Sequence, residues 1–268
     1  MMSELYKFLG AALILTAGTL PTFAQGAPPD ILKELAPTGK LRVGINYGNA
    51  VLAQKDATGK PVGLTPELSL ELGKRVGLPV DLVTFEAAGK TFEAMTKGEI
   101  DLVYIAIEPV RAAQTEFTAP YVLIEGGYMV LKDSPLKTLG DVDKPGIRIS
   151  VGLNSAYDLY LTRTIKNAHI VRANVGGGSA MIELFFRENL DVVAGVKPVL
   201  VEYAKSDARV RVMDGRFMVI EQAMGVPKGR TKAAQYLRDF IEDVKKSGFV
   251  ADALKRSGQT DAAVAPPG

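Results

Sequence analysis

The sequence predicts an α/β protein built from two α/β units. Strand-like and helix-like runs alternate along most of the chain, and a second unit of similar plan begins near 126–127. If the second unit is inserted between parts of the first, two strands must cross between them, and 124–128 and 218–222 are the candidates. A single continuous doubly wound sheet would give the same alternation, so this alternative stays open.

The first unit predicts a mostly parallel sheet because its elements follow the order β-α-β-α-β. Its first strand is the alternating run 41–45. A helix then begins at Thr65-Pro66-Glu67, since Thr can cap, Pro fits the first helical position and a carboxylate suits the positive helix end. The remaining elements are a strand at 80–85, a short helix at 91–97 that ends at Gly98, and a strand at 100–105.

The second unit and the C-terminal part continue the alternation. Ser155 predicts a helix N-cap, with Asp158 three residues later as a capping-box-like partner. Thr231 is expected to cap a long amphipathic helix, and the final Ala-Pro-Pro-Gly is expected to be disordered. The other predicted strands are 128–131, 147–151, 169–171, 190–194, 209–213 and 217–222, and the other helices are 136–142, 179–188, 198–205 and 249–256.

The N-terminus has the features of a secretory signal peptide. Lys7 precedes an uncharged run over 8–20, which suits a signal core of about 7–15 residues and is shorter than the roughly 18 residues of a membrane-spanning helix. Thr22 and Ala24 indicate cleavage after Ala24, so 1–24 is expected to be removed. A buried N-terminal helix is the ordinary alternative.

Composition restricts the classes of function. The chain has 1 His and no Cys, which excludes thiol nucleophiles, thiolate metal sites and multi-histidine zinc sites, and we expect no cofactor. Without Cys there is also no site for N-terminal lipid attachment, so a periplasmic protein that is not lipid-anchored is expected. The net charge of +2 gives no electrostatic footprint for nucleic acid.

The best candidate for a binding residue is Arg111. It follows the predicted strand 100–105 by a short loop and precedes an aromatic turn at 117–121. Ligands bind beyond the carboxyl ends of strands in α/β sheets, and a guanidinium there can hold a carboxylate through two parallel hydrogen bonds. The ordinary alternative is a surface Arg paired with Glu108 or Glu116.

Several short motifs, each weak alone, are specific in their order and spacing. They are Gly39-Lys40-Leu41-Arg42-Val43-Gly44, Gly63-Leu64 with Glu67, Gly98-Glu99-Ile100-Asp101, the Arg111 loop, Phe117-Thr118-Ala119-Pro120-Tyr121, Val151-Gly152 with Ser155, and Asp191-Val192-Val193-Ala194-Gly195. Through these motifs, residues 39–257 resemble the bacterial extracellular solute-binding proteins of family 3, the periplasmic receptors of polar amino-acid type ABC importers.

This resemblance implies the two-lobed periplasmic-binding-protein fold (type II), with a small ligand held at the hinge. Lobe 1 would comprise 25–125 and 220–268, and lobe 2 would comprise 126–219. Family members hold ligand on an Arg at the position of Arg111 and at the helix start that corresponds here to Asn154, Ser155 and Ala156. The implied partners are a small-molecule ligand and an inner-membrane ABC permease, and the protein is expected to be a monomer.

Two departures from the family pattern bear on the ligand. The Thr- or Ser-rich stretch before the Arg is shortened here to 106–110, and Val196 stands where family members carry an Asp for the ligand ammonium. The carboxylate-holding Arg is kept while the ammonium-holding acid is lost. We therefore expect an anionic or zwitterionic solute, a carboxylate more than a plain α-amino acid.

Other candidates come from the loops after predicted strands. Asn46 and Tyr47 could hydrogen-bond and cover a ligand, although Asn-Tyr-Gly-Asn is also ordinary turn composition. Glu86, Glu108 and Glu125 could each hold a cationic group, although solvated loop carboxylates are the commoner case. The start of the helix at Asn154 could receive an anion on its free N–H groups or could be a simple cap.

The sequence therefore predicts a periplasmic solute-binding receptor rather than an enzyme. Two alternatives remain open. One is a cyclohexadienyl- or arogenate-type dehydratase on the same fold, with Glu108 or Glu125 as general acid. The other is a sensory protein that presents its ligand to a membrane receptor.

Overall fold

The described part of the chain, residues 26–174 and 179–268, is an α/β structure in this computed structural model, and the predicted signal peptide at 1–24 lies outside it. The first elements are, in chain order, α1 (Pro29–Leu35), β1 (Leu41–Asn46), β2 (Gln54–Lys55), β3 (Pro61–Val62), α2 (Leu64–Val76), β4 (Val80–Phe85), α3 (Ala88–Thr96), β5 (Leu102–Ala106), α4 (Pro109–Ala112) and β6 (Thr115–Leu131). Within the described ranges, no helix is both long and apolar enough to cross a bilayer.

The second half starts with a 3-10 turn at Leu139–Asp141, after β6. The elements that follow are β7 (Arg148–Gly152), α5 (Ala156–Thr164), β8 (His169–Ala173), α6 (Ala180–Arg187), β9 (Val192–Val196), α7 (Lys197–Ser206), β10 (Val210–Val212), β11 (Met218–Pro227), α8 (Thr231–Lys246), α9 (Phe249–Arg256) and β12 (Ala263–Val264). The predicted α/β class is confirmed by this order.

Two long strands join the two halves of the sheet. The hydrogen-bonded path runs β4-β1-β5-β11-β6-β9-β7-β8. Strands β1, β4 and β5 are parallel at one end of the path, and β7, β8 and β9 are parallel at the other. Between them, β6 and β11 are antiparallel and pair from Gly126 with Met218 to Thr115 with Pro227. Both crossing strands are longer than the sequence indicated, and together they join the two halves into one continuous path.

Of the N-caps of α5 and α2, one is occupied by the residue that the sequence predicted. At α5, Ser155 caps as predicted, because its Oγ accepts a hydrogen bond of 3.1 Å from the Asp158 N–H. At α2 the prediction of a Thr65 cap is wrong. The N-cap lies two residues earlier, at Gly63, and the Thr65 hydroxyl donates to the Leu52 carbonyl instead.

A distant residue satisfies the start of α8. Thr231 makes no capping hydrogen bond and is the first residue of the helix. The Glu34 carboxylate, from α1, accepts hydrogen bonds from the N–H groups of Lys232 and Ala233 at 2.9 and 3.0 Å. The apolar face of α8 is buried as predicted, and it comprises Ala233, Ala234, Leu237, Phe240, Ile241 and Val244.

The predicted aromatic turn and the predicted disordered tail are both wrong, for related reasons. Residues 117–121 continue β6, because β11 pairs with them. The C-terminal strand β12 pairs with Val122 and Leu123 of the same strand. Ala265 is buried, and the Lys245 ammonium donates to the Pro266 carbonyl at 2.8 Å. The final four residues are therefore held against β6 and α8, although they are not themselves part of a strand.

Candidate ligand-binding site

A cavity of about 350 Å³ lies where the parallel strands of both halves end. The last residue of each of five strands contributes to its wall: Asn46 of β1, Ala106 of β5, Gly152 of β7, Ala173 of β8 and Val196 of β9. Sites beyond the carboxyl ends of strands are the usual ligand sites of α/β sheets. The volume suits a small molecule, since such pockets measure about 300–1,000 Å³.

Arg111, on α4, is buried in the wall of this cavity with 1% of its surface exposed. Its Nη1 donates to the Ala106 carbonyl at 3.1 Å, and its Nη2 donates to the Asn154 carbonyl at 2.8 Å. Burial lowers the pKa of the guanidinium to about 10, and the nearby Glu108 charge opposes this shift, so the group is charged at neutral pH. Both acceptors are neutral carbonyls.

The ordinary alternative for Arg111, a surface ion pair, does not describe its surroundings. Glu116 pairs with Lys228 at 3.2 Å, and Glu108 pairs with Arg163 at 2.5 Å. Among the described residues Arg111 forms no ion pair. A guanidinium has five N–H donors, so capacity for an anion remains on the side that faces the cavity.

The start of α5 forms the part of the wall that contacts Arg111. Asn154, Ser155 and Ala156, the predicted ligand-binding residues of this segment, all line the cavity. Asn154 has a positive φ of 57°, and its N–H donates to the Asp158 carboxylate at 2.8 Å. This turn directs the Asn154 carbonyl to the Arg111 guanidinium, so the two halves of the chain meet through one hydrogen bond at the cavity.

Of the eight predicted ligand-binding residues, five line the cavity and three do not. The five are Asn46, Arg111, Asn154, Ser155 and Ala156. The three outside the lining are Tyr47, Glu108 and Glu125. Asn46 also shapes the loop after β1, because its Oδ1 accepts a hydrogen bond of 2.9 Å from the Gly48 N–H.

The three residues outside the lining have other contacts. The Tyr47 ring lies under the Lys55 ammonium, 4.7 Å from the ring centroid. Glu108 is 2% exposed and is bonded to Arg163, from α5.

Glu125 accepts hydrogen bonds of 2.8 Å from both Lys197 and Arg216. These two bonds lower the pKa of Glu125, with the Lys197 hydrogen bond as the largest cause. Its carboxylate is therefore held as an anion by two cations beside the crossing strands.

Two acidic residues in the wall are neutralised by lysines. Glu86 pairs with Lys55 at 2.9 Å, with both side chains about half exposed. Glu93, which was not predicted from the sequence as a site residue, pairs with Lys97 at 2.7 Å and with Lys90 at 2.9 Å. These pairs lower the pKa of Glu93 to about 2, with the Lys97 hydrogen bond as the largest cause.

Gln222 and Phe92 also line the cavity, and neither was predicted from the sequence as a site residue. Gln222 is 5% exposed, and its position at the cavity depends on the pairing of β11 with β5, which no local sequence signal reveals. Phe92 lies on the predicted helix that precedes β5, and its aromatic ring was the available signal. Val196 lines the cavity as an apolar, buried side chain, at the position where an acid is usual in the resembled family.

Comparisons with known proteins agree on one family. The model of the bacterial extracellular solute-binding proteins, family 3, matches residues 41–259. A curated relative, the amino-acid-binding protein AabA of Dichelobacter nodosus, is 22% identical over 206 residues, which are 75% of this chain and 80% of the relative.

Solved structures share the fold. The solute receptor for L-cysteine of Neisseria gonorrhoeae superposes with a TM-score of 0.73 at 21% identity, covering 85% of this chain and 92% of its own. An ancestral amino-acid-binding protein, a precursor of cyclohexadienyl dehydratase, gives 0.71 at 23% identity, covering 84% and 98%. At these identities the likeness establishes the fold alone, and the predicted two-lobed architecture is confirmed.

Proposed function

The chain belongs to the bacterial extracellular solute-binding proteins of family 3, and we propose that it is a periplasmic receptor that captures a small carboxylate for an ABC importer. The ligand is anionic or zwitterionic and lies in the cavity between the two lobes. After capture, the closed receptor delivers the ligand to an inner-membrane permease. The family membership and the predicted signal peptide at 1–24 support this assignment.

The observation that carries the proposal is the buried guanidinium of Arg111. A buried charge is costly unless an opposite charge or several hydrogen bonds compensate it. Here two carbonyl oxygens are the protein acceptors, and no carboxylate within the described ranges pairs with the group. A ligand carboxylate would supply the missing charge through a bidentate contact.

The lobe limits of the proposal are 25–125 with 220–268 for lobe 1, and 126–219 for lobe 2. Both limits fall within the crossing strands, and they face each other, because Glu125 pairs with Val219 in the β6–β11 register. With these limits Arg111 belongs to lobe 1 and Asn154 to lobe 2. A ligand that contacts both would stabilise the closed arrangement of the lobes.

The receptor acts as a monomer and without turnover in this proposal. Residues from both halves of this one chain line the cavity, so a second copy is not needed to form it. A dehydratase would need a general acid at the ligand, and the two candidates are Glu108 and Glu125. Both are held in ion pairs outside the cavity lining, which supports capture over catalysis.

A ligand screen with two Arg111 variants tests the proposal. Thermal unfolding in the presence of amino acids, organic acids, amines and aromatic acids should show stabilisation by compounds with a carboxylate. Calorimetric titration should then show that Arg111→Ala weakens binding of the carboxylate by about 100-fold. Arg111→Lys keeps the charge but cannot make the bidentate contact, so we expect it to retain only part of the wild-type affinity. Binding of an amine without a carboxylate, with unchanged affinity in Arg111→Ala, would contradict the proposal.

A further inference from the structure

The side chain of Gln222 lies beside the Arg111 clamp. Gln222 pairs with Ala106 across β11 and β5, and the Ala106 carbonyl is an acceptor for Arg111. Gln222 and Ile220, two residues apart on the strand, both line the cavity. The pairing of β11 with β6 shifts register directly after Gln222, and such irregularities re-aim side chains beside functional sites.

The Gln222 amide oxygen is a buried acceptor without a partner. Its Oε1 is inaccessible to solvent and accepts no hydrogen bond within the described ranges, while the residue as a whole is 5% exposed. Buried polar groups in folded proteins are almost always hydrogen-bonded, because an unpaired one carries its full desolvation cost. A buried acceptor without a partner, on a residue of the cavity lining, is therefore suited to a donor on a bound molecule.

The charges around the cavity favour a neutral donor over a cationic one. Among the described residues of the lining, Arg111 carries the one buried charge, and a ligand carboxylate would balance this charge. An additional ammonium would need a second anion. Val196 offers none, and Glu86 and Glu93 are about half exposed and already paired with lysines.

We propose that Gln222 accepts a hydrogen bond from a donor on the carbon next to the ligand carboxylate, so that the site binds α-hydroxy acids as tightly as α-amino acids or more tightly. This inference rests on the proposed function, since it assumes a carboxylate on Arg111. A neutral amide acceptor pairs with a hydroxyl or an ammonium without charge selection, whereas a carboxylate acceptor would select the cation.

Three matched ligand series test the inference by calorimetric titration of the full mature protein. Each series, built on the leucine, glutamate or lysine skeleton, contains the L-α-amino acid, the L-α-hydroxy acid and the acid with an unsubstituted α-carbon. In the series that binds, the hydroxy acid should bind about tenfold more tightly than the unsubstituted acid and at least as tightly as the amino acid.

The variant Gln222→Leu removes the acceptor and keeps a side chain of similar size. It should weaken binding of the hydroxy acid and the amino acid by about tenfold and change binding of the unsubstituted acid by less than about twofold. Retained binding of the unsubstituted acid thus shows that the variant is folded. If Gln222→Leu does not fold, Gln222→Met takes its place in the experiment. Gln235→Leu, at an exposed glutamine of α8, is the matched control with unchanged affinities.

The outcomes separate this inference from the proposed function. If the wild type binds no carboxylate, either of the three series or of the wider ligand screen, the proposed function fails and the inference falls with it. If carboxylates bind but the amino acid binds more than about tenfold better than the hydroxy acid, the inference alone is overturned. It is overturned equally if Gln222→Leu weakens all three members of a series by the same factor, or none of them.

Discussion

At the residue scale, the proposed site depends on one charge and on what surrounds it. Arg111 is buried and bonded to two neutral carbonyls, so a bound anion would complete its environment. Its place could be predicted because it follows a buried strand by a short loop. The place of Gln222 could not, because the register between β5 and β11 joins residues that are far apart in sequence.

Val196 provides a test of selectivity at the same scale. The variant Val196→Asp adds an anion to an apolar position in the cavity wall, where it can pair with a ligand ammonium. We expect the affinity ratio of an α-amino acid to its α-hydroxy analogue to rise by about tenfold or more, as measured by calorimetry. Val196→Asn, which adds a group of the same shape without charge, is the control, and an equal rise in this variant would contradict the electrostatic explanation.

At the element scale, both ends of α5 contact the segment that follows β5. Its start contacts Arg111 through the Asn154 carbonyl, and its last turn carries Arg163, which pairs with Glu108 directly after β5. The Ser155 cap was predictable from four consecutive residues, because a cap is a local feature. The Arg163–Glu108 pair was not, because it joins elements whose proximity only the fold determines.

The Arg163–Glu108 pair should stabilise the closed arrangement. Glu108 is buried, whereas the Arg163 side chain is 42% exposed, so we expect a contribution of about 1 kcal/mol and a loss of about fivefold in ligand affinity for Arg163→Ala. Adding Glu108→Gln to Arg163→Ala should recover part of that loss, because no unpaired buried charge then remains. Arg187→Ala, at an exposed residue of lobe 2, is the control. Equal affinity of Arg163→Ala and wild type would refute this role.

At the scale of the whole molecule, the sequence predicted the class and order of elements better than their ends. Alternation of strands and helices indicated both lobes, and the crossing strands were located near 124–128 and 218–222. Their length, the pairing of the C-terminal strand with Val122 and Leu123, and the capping of α8 by Glu34 were missed. Each depends on a partner distant in sequence, and propensity and periodicity carry no information on such partners.

The most direct test of the central claim is a crystal structure of the protein with the tightest-binding carboxylate from the ligand screen. We expect the ligand carboxylate within about 3 Å of the Arg111 guanidinium nitrogens and facing the N–H groups at the start of α5. A ligand whose carboxylate lies elsewhere, with the Arg111 guanidinium still bonded only to the Ala106 and Asn154 carbonyls, would contradict the assignment of this residue as the anion clamp.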